Sequence, residues 1–401
     1  MEPLFYRKVL QNGMTVLFEK RENPVVSVAF AVRCGGINES ESNKGISHFI
    51  EHLLYKGTPK RNSKKIAEEI EKKGGELNGF TDESITAYHC KMPSKHLETA
   101  LEVLSDMIKN PLFEPEEIKK ERQVIFEEIK MYQDSPPRYV LQEIQKFLYK
   151  PPFGIPLIGT TDTLNSITRG DIIKRFKEVY QPNNMILCVV GNADFNQIVD
   201  FAEKNFVKNE GQVPVYNIEI MNNSKIEKRK GIDQANFALA YHIPSSKDKK
   251  NYAAIVLGVL MGGGMSSRLF QEIRDKRNLA YAVRAQLEVN KDFAYSLIYV
   301  GTKKEKVEEC RRVILDEFEK ISKELTEEEF SQVKEQIIGN HYISCEDSHN
   351  QLANLLHYEI NGNIEEFYEF EKNIRDVKIE DVKEIAKIPL EKNSFFALVP
   401  D

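Results

Sequence analysis

Apolar residues recur through 46–54 at Ile46, Phe49, Ile50, Leu53 and Leu54, the spacing of one buried face of an amphipathic helix. The same periodicity predicts helices over 99–109 and 306–323. A further helix is predicted over 115–134: Pro115 suits its first turn, Glu116 and Glu117 favour its positive dipole end, and Pro136-Pro137 stop it. Elsewhere the period drops to two. Ile85, Ala87 and His89 alternate as a strand after a Gly74-Gly75 turn, and apolar runs at 184–190 and 394–399 read as strands as well.

These elements repeat. Leu112-Phe-Glu-Pro115-Glu-Glu-Ile118 resembles Leu325-Thr-Glu-Glu-Glu-Phe330, each opening a helix after an amphipathic one, and the run 184–190 echoes 394–399 at an offset of about 212 residues. A chain of 401 residues exceeds a single core, so the pattern predicts two homologous domains, 1–210 and 223–401, each mixing strands with long helices. Gly211, Pro214 and the polar Asn-Asn-Ser run break the periodicity across 209–225, where the join is expected.

The opposite face of the first helix carries chemistry. His48, Glu51, His52 and Tyr55 point away from the apolar stripe and form an H-x-x-E-H arrangement. Two histidines one turn apart can reach one metal ion, with Glu51 beside it to hold a water. A zinc hydrolase needs a third ligand and an open position. Glu128 in the 115–134 helix is the candidate, with Glu121 two turns away on the same face, so that one carboxylate can ligate and the other can orient a ligand.

Several motifs in order identify a resemblance. They are the run from Gly36 through Glu39 to Gly45-Ile-Ser-His48-Phe-Ile-Glu51-His52-Leu-Leu-Tyr-Lys-Gly57-Thr58, then Asn78-Gly-Phe-Thr81-Asp-Glu83, then Glu121-Arg-Gln-Val-Ile-Phe-Glu-Glu128. Gly159-Thr-Thr, Tyr180-Gln-Pro-Asn-Asn-Met185, Gly262-Gly-Gly-Met-Ser-Ser-Arg-Leu-Phe-Gln-Glu-Ile-Arg274 and Leu279-Ala-Tyr281 follow. The chain resembles the M16 (pitrilysin or insulinase-type) zinc metallopeptidases of the short, mitochondrial-processing-peptidase-like class. The resemblance implies an α+β fold of two homologous domains, each an antiparallel sheet with helices packed on one face, and zinc-dependent endopeptidase activity on peptides or unfolded segments through a zinc-activated water. It implies His48, His52 and Glu128 as Zn2+ ligands, Glu51 as general base, and Glu121 as the carboxylate orienting a ligand. Arg274 and Tyr281 match the pair that stabilises the scissile carbonyl oxygen. Asn78, Gly79, Phe80 and Thr81 match the strand edge that holds substrate. The family often has alanine where this chain has Gly79, which predicts a freer backbone there. It also implies a homodimer whose sites are completed in trans by Arg274 and Tyr281.

The second domain contains no H-x-x-E-H, and Glu128 aligns with Asn340 at the repeat offset, so only the first domain is expected to hold zinc. The family includes inactive subunits that serve as partners or scaffolds. That alternative predicts damage to the zinc motif or to the arginine and tyrosine pair, and neither is damaged. The segment Gly262-Gly-Gly264-Met-Ser-Ser lacks the Gly-Lys-Ser/Thr ending of a phosphate loop and reads as a hinge before the helix bearing Arg274. His89 reads as structural. A net charge of −6 argues against a nucleic-acid partner. No segment approaches the ~18 apolar residues of a bilayer span. Five scattered cysteines (Cys34, Cys90, Cys188, Cys310, Cys345) and an opening without a basic and apolar leader predict a cytoplasmic protein.

Overall fold

β3 (Val25–Val32) reads VVSVAFAV, and every residue after Val25 is buried. A strand apolar on both faces must be covered on both faces. The computed structural model describes residues 4–362 and 364–401, so the first three residues of the opening lie outside the described residues. β3 is central to a six-stranded sheet of order β1-β2-β6-β3-β5-β4, formed with β1 (Leu4–Val9), β2 (Thr15–Lys20), β4 (Glu76–Thr81), β5 (Thr86–Pro93) and β6 (Met185–Gly191). All neighbours are antiparallel except β2 and β6.

The second sheet has five strands in the order β7-β11-β8-β10-β9: β7 (Ser224–Arg229), β8 (Ala235–His242), β9 (Ala280–Val289), β10 (Ala294–Thr302) and β11 (Ser394–Pro400). Its one parallel pair, β7 with β11, repeats the β2 and β6 arrangement. The duplication expected from the sequence is therefore a repeated sheet topology, with β1 added to the first copy. This is the expected α+β class.

Four helices of the first half are α1 (Ile46–Leu54), α2 (Ser63–Glu71), α3 (Leu97–Lys109) and α4 (Pro115–Asp134). α3 packs on β3 and β5. The opposite face of the sheet is covered by helix Ser348–Asn361, from the far end of the sequence, which packs on β3 and β6. Polar contacts fix it there: Ser27 and Ser348 hydroxyls at 2.8 Å, Lys91 Nζ to Asp347 Oδ2 at 2.6 Å, and Arg7 and Arg33 on the Glu359 carboxylate at 2.8 and 2.6 Å. The second sheet is treated in the same way. One face meets helices of its own half, Asn251–Gly262 and Val307–Glu324, in a buried apolar cluster. The other meets α5 (Pro136–Glu143) and helix Gln145–Leu148 from the first half, where Phe147 stacks on Phe396 at 5.3 Å.

The two compact units accordingly alternate along the sequence. One comprises 1–129, 157–217 and 344–364, and the other comprises 130–156, 218–343 and 365–401. Segments 130–156 and 344–364 depart from the division into 1–210 and 223–401. The reason is physical: each half supplies helices for one face of its sheet, and both faces are apolar. Between Asn205 and Ser224 the chain has neither helix nor strand, apart from a bridge between Tyr149 and Ile220. Among the described residues no helix is long and apolar enough to cross a membrane.

Candidate metal centre

α1 starts where the sequence leaves no choice of residue. Gly45 has φ +95°, and a Cβ there would lie 2.6 Å from the Ile158 carbonyl oxygen. The wholly buried Glu39 then caps the helix: its carboxylate accepts from Gly45 N at 2.9 Å and Ser47 N at 2.7 Å, placing negative charge at the positive dipole end. Ile46, Phe49, Ile50, Leu53 and Leu54 are buried. His48, Glu51 and His52 are half-buried on the other side.

α4 brings the second set of groups. Arg122 holds it in place, its guanidinium over the Phe49 ring at 5.3 Å and donating to the carbonyls of Leu164 and of Ile167. Glu128 Oε2 then stands 3.7 Å from His48 Nε2 and 3.8 Å from His52 Nε2. One ligand atom from each of these three residues lies within 4.8 Å of the others, and among the described residues no other such group of three occurs. Two imidazole nitrogens and a carboxylate oxygen form a donor set suited to zinc. On the far side of His52, Nδ1 meets Glu121 Oε2 at 3.2 Å, and Glu121 Oε1 takes Lys56 Nζ at 2.7 Å.

Burial governs the electrostatics. It lowers the His48 pKa to about 3, with His52 adding to the effect, so that imidazole is neutral and able to ligate. Burial also raises Glu128 and Glu51 above the ordinary carboxylate range. It opposes ionisation of Glu121 too, but hydrogen bonds from His52 and Lys56 outweigh it and leave that pKa low. The two glutamates of α4 thus differ because only Glu121 receives hydrogen bonds, from His52 and from Lys56.

Glu51 lies on the β4 side. Its Oε2 is 3.4 Å from the Thr81 hydroxyl. Asn78, Gly79, Phe80 and Thr81 all belong to β4, the terminal strand of the sheet, paired only with β5. The segment is a strand in its own right, separate from the alternating one over 86–93. The freedom expected of Gly79 is taken up by Tyr55, whose hydroxyl fills the space over it. His89 is buried in β5 with its ring 4.4 Å from that of His349.

Arg274 and Tyr281 fold with the other unit. Arg274 lies in a π-helical stretch, Phe270–Lys276, with its guanidinium 4.8 Å over the Phe270 ring. Tyr281 lies in β9, the terminal strand of its sheet, and is 81% exposed, so its hydroxyl is open to a ligand. The roles of Lys56 and Tyr55 escaped the sequence reading, as did the capping role of Glu39. For Tyr55 a signal existed, since it shares the polar face of α1 with Glu51 one turn earlier.

Fold and cluster together define a class: a duplicated α+β chain whose first unit presents two histidines and a glutamate to one point, with a further carboxylate alongside. The chain belongs to the insulinase family of peptidases, peptidase family M16. It matches that family over residues 15–161, and matches the peptidase M16 inactive domain over residues 166–337. It is 34% identical over 348 residues to a Rickettsia felis protein named an uncharacterized zinc protease, covering 85% of this chain and 84% of that one. A Bacillus subtilis zinc protease, likewise named uncharacterized, is 32% identical, with 86% of each chain covered. Among solved structures, a protease from Helicobacter pylori shares the fold with a TM-score of 0.93 at 24% identity, covering 99% of this chain and 100% of that one. A peptidase M16 inactive domain from Pseudomonas fluorescens has a TM-score of 0.89 at 18% identity, with 99% and 98% covered.

Proposed function

We propose that the protein is a zinc-dependent endopeptidase that hydrolyses peptides or unfolded polypeptide segments. The observation that carries this reading is the convergence of His48, His52 and Glu128, with Glu51 on the same helix. His48 Nε2, His52 Nε2 and a Glu128 oxygen would hold the ion, and Glu121 would keep the His52 ring turned towards it through Nδ1. Zinc, when bound there, supplies Lewis acidity, which polarises a peptide carbonyl and makes water acidic enough to attack near neutral pH. Glu51 takes the proton from the attacking water and returns it to the leaving amine nitrogen. The free edge of β4 binds an extended chain through main-chain hydrogen bonds, with little demand on side-chain identity.

Arg274 and Tyr281 serve as donors to the carbonyl oxygen as it gains negative charge. On the family resemblance, they come from the second protomer of a homodimer. Mixing Glu51→Gln protein with Tyr281→Phe protein should then restore activity that neither has alone, and no recovery would refute the shared site. The primary test is cleavage of an unstructured peptide by the zinc-loaded protein. Glu51→Gln should bind zinc and not cleave; cleavage at the unmutated rate would remove Glu51 from the mechanism.

The second reading is an inactive subunit acting as partner or scaffold, favoured by the match to an inactive domain over 166–337. That match leaves out His48, Glu51, His52, Glu121 and Glu128, which fall within the 15–161 match. A folded, zinc-loaded protein that cleaves no peptide would favour this second reading.

A further inference from the structure

Gly79 is the point in β4 with no room for a side chain. A Cβ there would lie 2.3 Å from Tyr55 Oη, 3.0 Å from the Ala87 carbonyl oxygen and 3.2 Å from Glu51 Oε1. The two longer approaches are tight but can yield by a few tenths of an ångström, whereas the approach to the phenol cannot, because a rigid ring carries that oxygen. Gly79 stands opposite Tyr88 in the β4 and β5 register, and the Tyr55 ring lies 6.0 Å from that of Tyr88. Tyr55 therefore packs over a bare stretch of edge strand, as an aromatic covers a strand glycine.

The Tyr55 hydroxyl is buried and has no hydrogen-bond partner among the described residues. An unpaired buried donor is costly and calls for an explanation. The neighbouring Tyr88 and Tyr180 hydroxyls are bonded to each other at 2.9 Å, and neither pairs with Tyr55. Glu51 Oε1 approaches the same point above Gly79. It belongs to the residue one helical turn before Tyr55, on the same side of α1. The other Glu51 oxygen already faces Thr81.

We propose that Tyr55 is a positioning residue for Glu51: Gly79 admits the phenol between α1 and β4, and in the working site its hydroxyl donates to Glu51 Oε1 while Thr81 donates to Oε2. The carboxylate is then held from both sides and aimed for proton transfer. This rests on the peptidase reading, and it adds the residue that fixes the base and the reason position 79 is glycine.

The test is a cycle of Tyr55→Phe, Gly79→Ala and the double variant in the full-length protein, read by zinc content, by peptide-cleavage kinetics and by thermal melting. Tyr55→Phe should keep its zinc and its KM and lose about tenfold in kcat, the size expected for one hydrogen bond to a charged group. Gly79→Ala should lose more kcat and melt at a lower temperature, because the new methyl meets the hydroxyl. The double variant should return to the kcat of Tyr55→Phe and regain the melting temperature lost by Gly79→Ala. Unchanged kcat in Tyr55→Phe, or a double variant no better than Gly79→Ala, would overturn the proposal. If the unmutated protein cleaves nothing, the peptidase reading fails; the melting cycle still decides whether Tyr55 and Gly79 are coupled, and additive shifts would overturn the pairing.

Discussion

Replacing Glu121 by glutamine tests how the centre is supported without touching a ligand. Glu121 is 5% exposed, and its carboxylate holds His52 Nδ1 at 3.2 Å and Lys56 Nζ at 2.7 Å. Glutamine keeps the shape but removes the charge that draws the Nδ1 proton, and it leaves the Lys56 ammonium facing a neutral amide. A hydrogen bond to a charged group contributes about 1.5–3 kcal/mol. Loss of the partner behind a ligating histidine typically weakens metal binding by roughly 10–100-fold, about 1.4–2.7 kcal/mol, so the two estimates agree. Zinc affinity measured by competition with a chelator should fall by that factor in Glu121→Gln. Lys56→Met leaves the contact to His52 in place and should change affinity by no more than about threefold, well under that loss. A Glu121→Gln protein that is folded and binds zinc as tightly as the unmutated chain would refute the idea that this carboxylate orients His52.

Two further outcomes follow from the scaffold. Gly45→Ala forces an alanine into φ +95° with its Cβ 2.6 Å from the Ile158 oxygen. It should cost at least about 1–2 kcal/mol in denaturant unfolding, and an unchanged midpoint would contradict this account of the α1 start. For Glu359, burial opposes ionisation, but hydrogen bonds from Arg7 and Arg33 outweigh it and bring the pKa below its ordinary 4.5. The stability this carboxylate adds is therefore present at neutral pH and is lost as pH falls below about 4.5, through the lower folded-state value. Urea midpoints of the unmutated chain and Glu359→Gln should differ at neutral pH and converge in acid. A gap that does not change with pH would refute the assignment.

The centre was legible because its groups sit on strongly periodic helices. The apolar stripe of α1 fixed where His48, Glu51 and His52 point, and the predicted helix over 115–134 matches α4. Its pairing with α1 came through the family motif, since nothing in the periodicity says which helices meet. The exchange of helices between halves was not read, although β3 offered a sign of it. An unbroken apolar run demands cover on both faces, yet it does not say that Ser348–Asn361 provides the cover, because polar pairs such as Lys91 with Asp347 are separated by 256 positions. Tyr55 was placed on the correct face of α1, but its meaning required seeing Gly79 beneath it.

The most direct test of the account is the zinc content of the purified protein after exhaustive dialysis against buffer. One zinc per chain is expected for the unmutated protein. His48→Ala, His52→Ala and Glu128→Ala should each fold and retain almost none. Full zinc in the folded Glu128→Ala protein would contradict the claim that α1 and α4 share one ion.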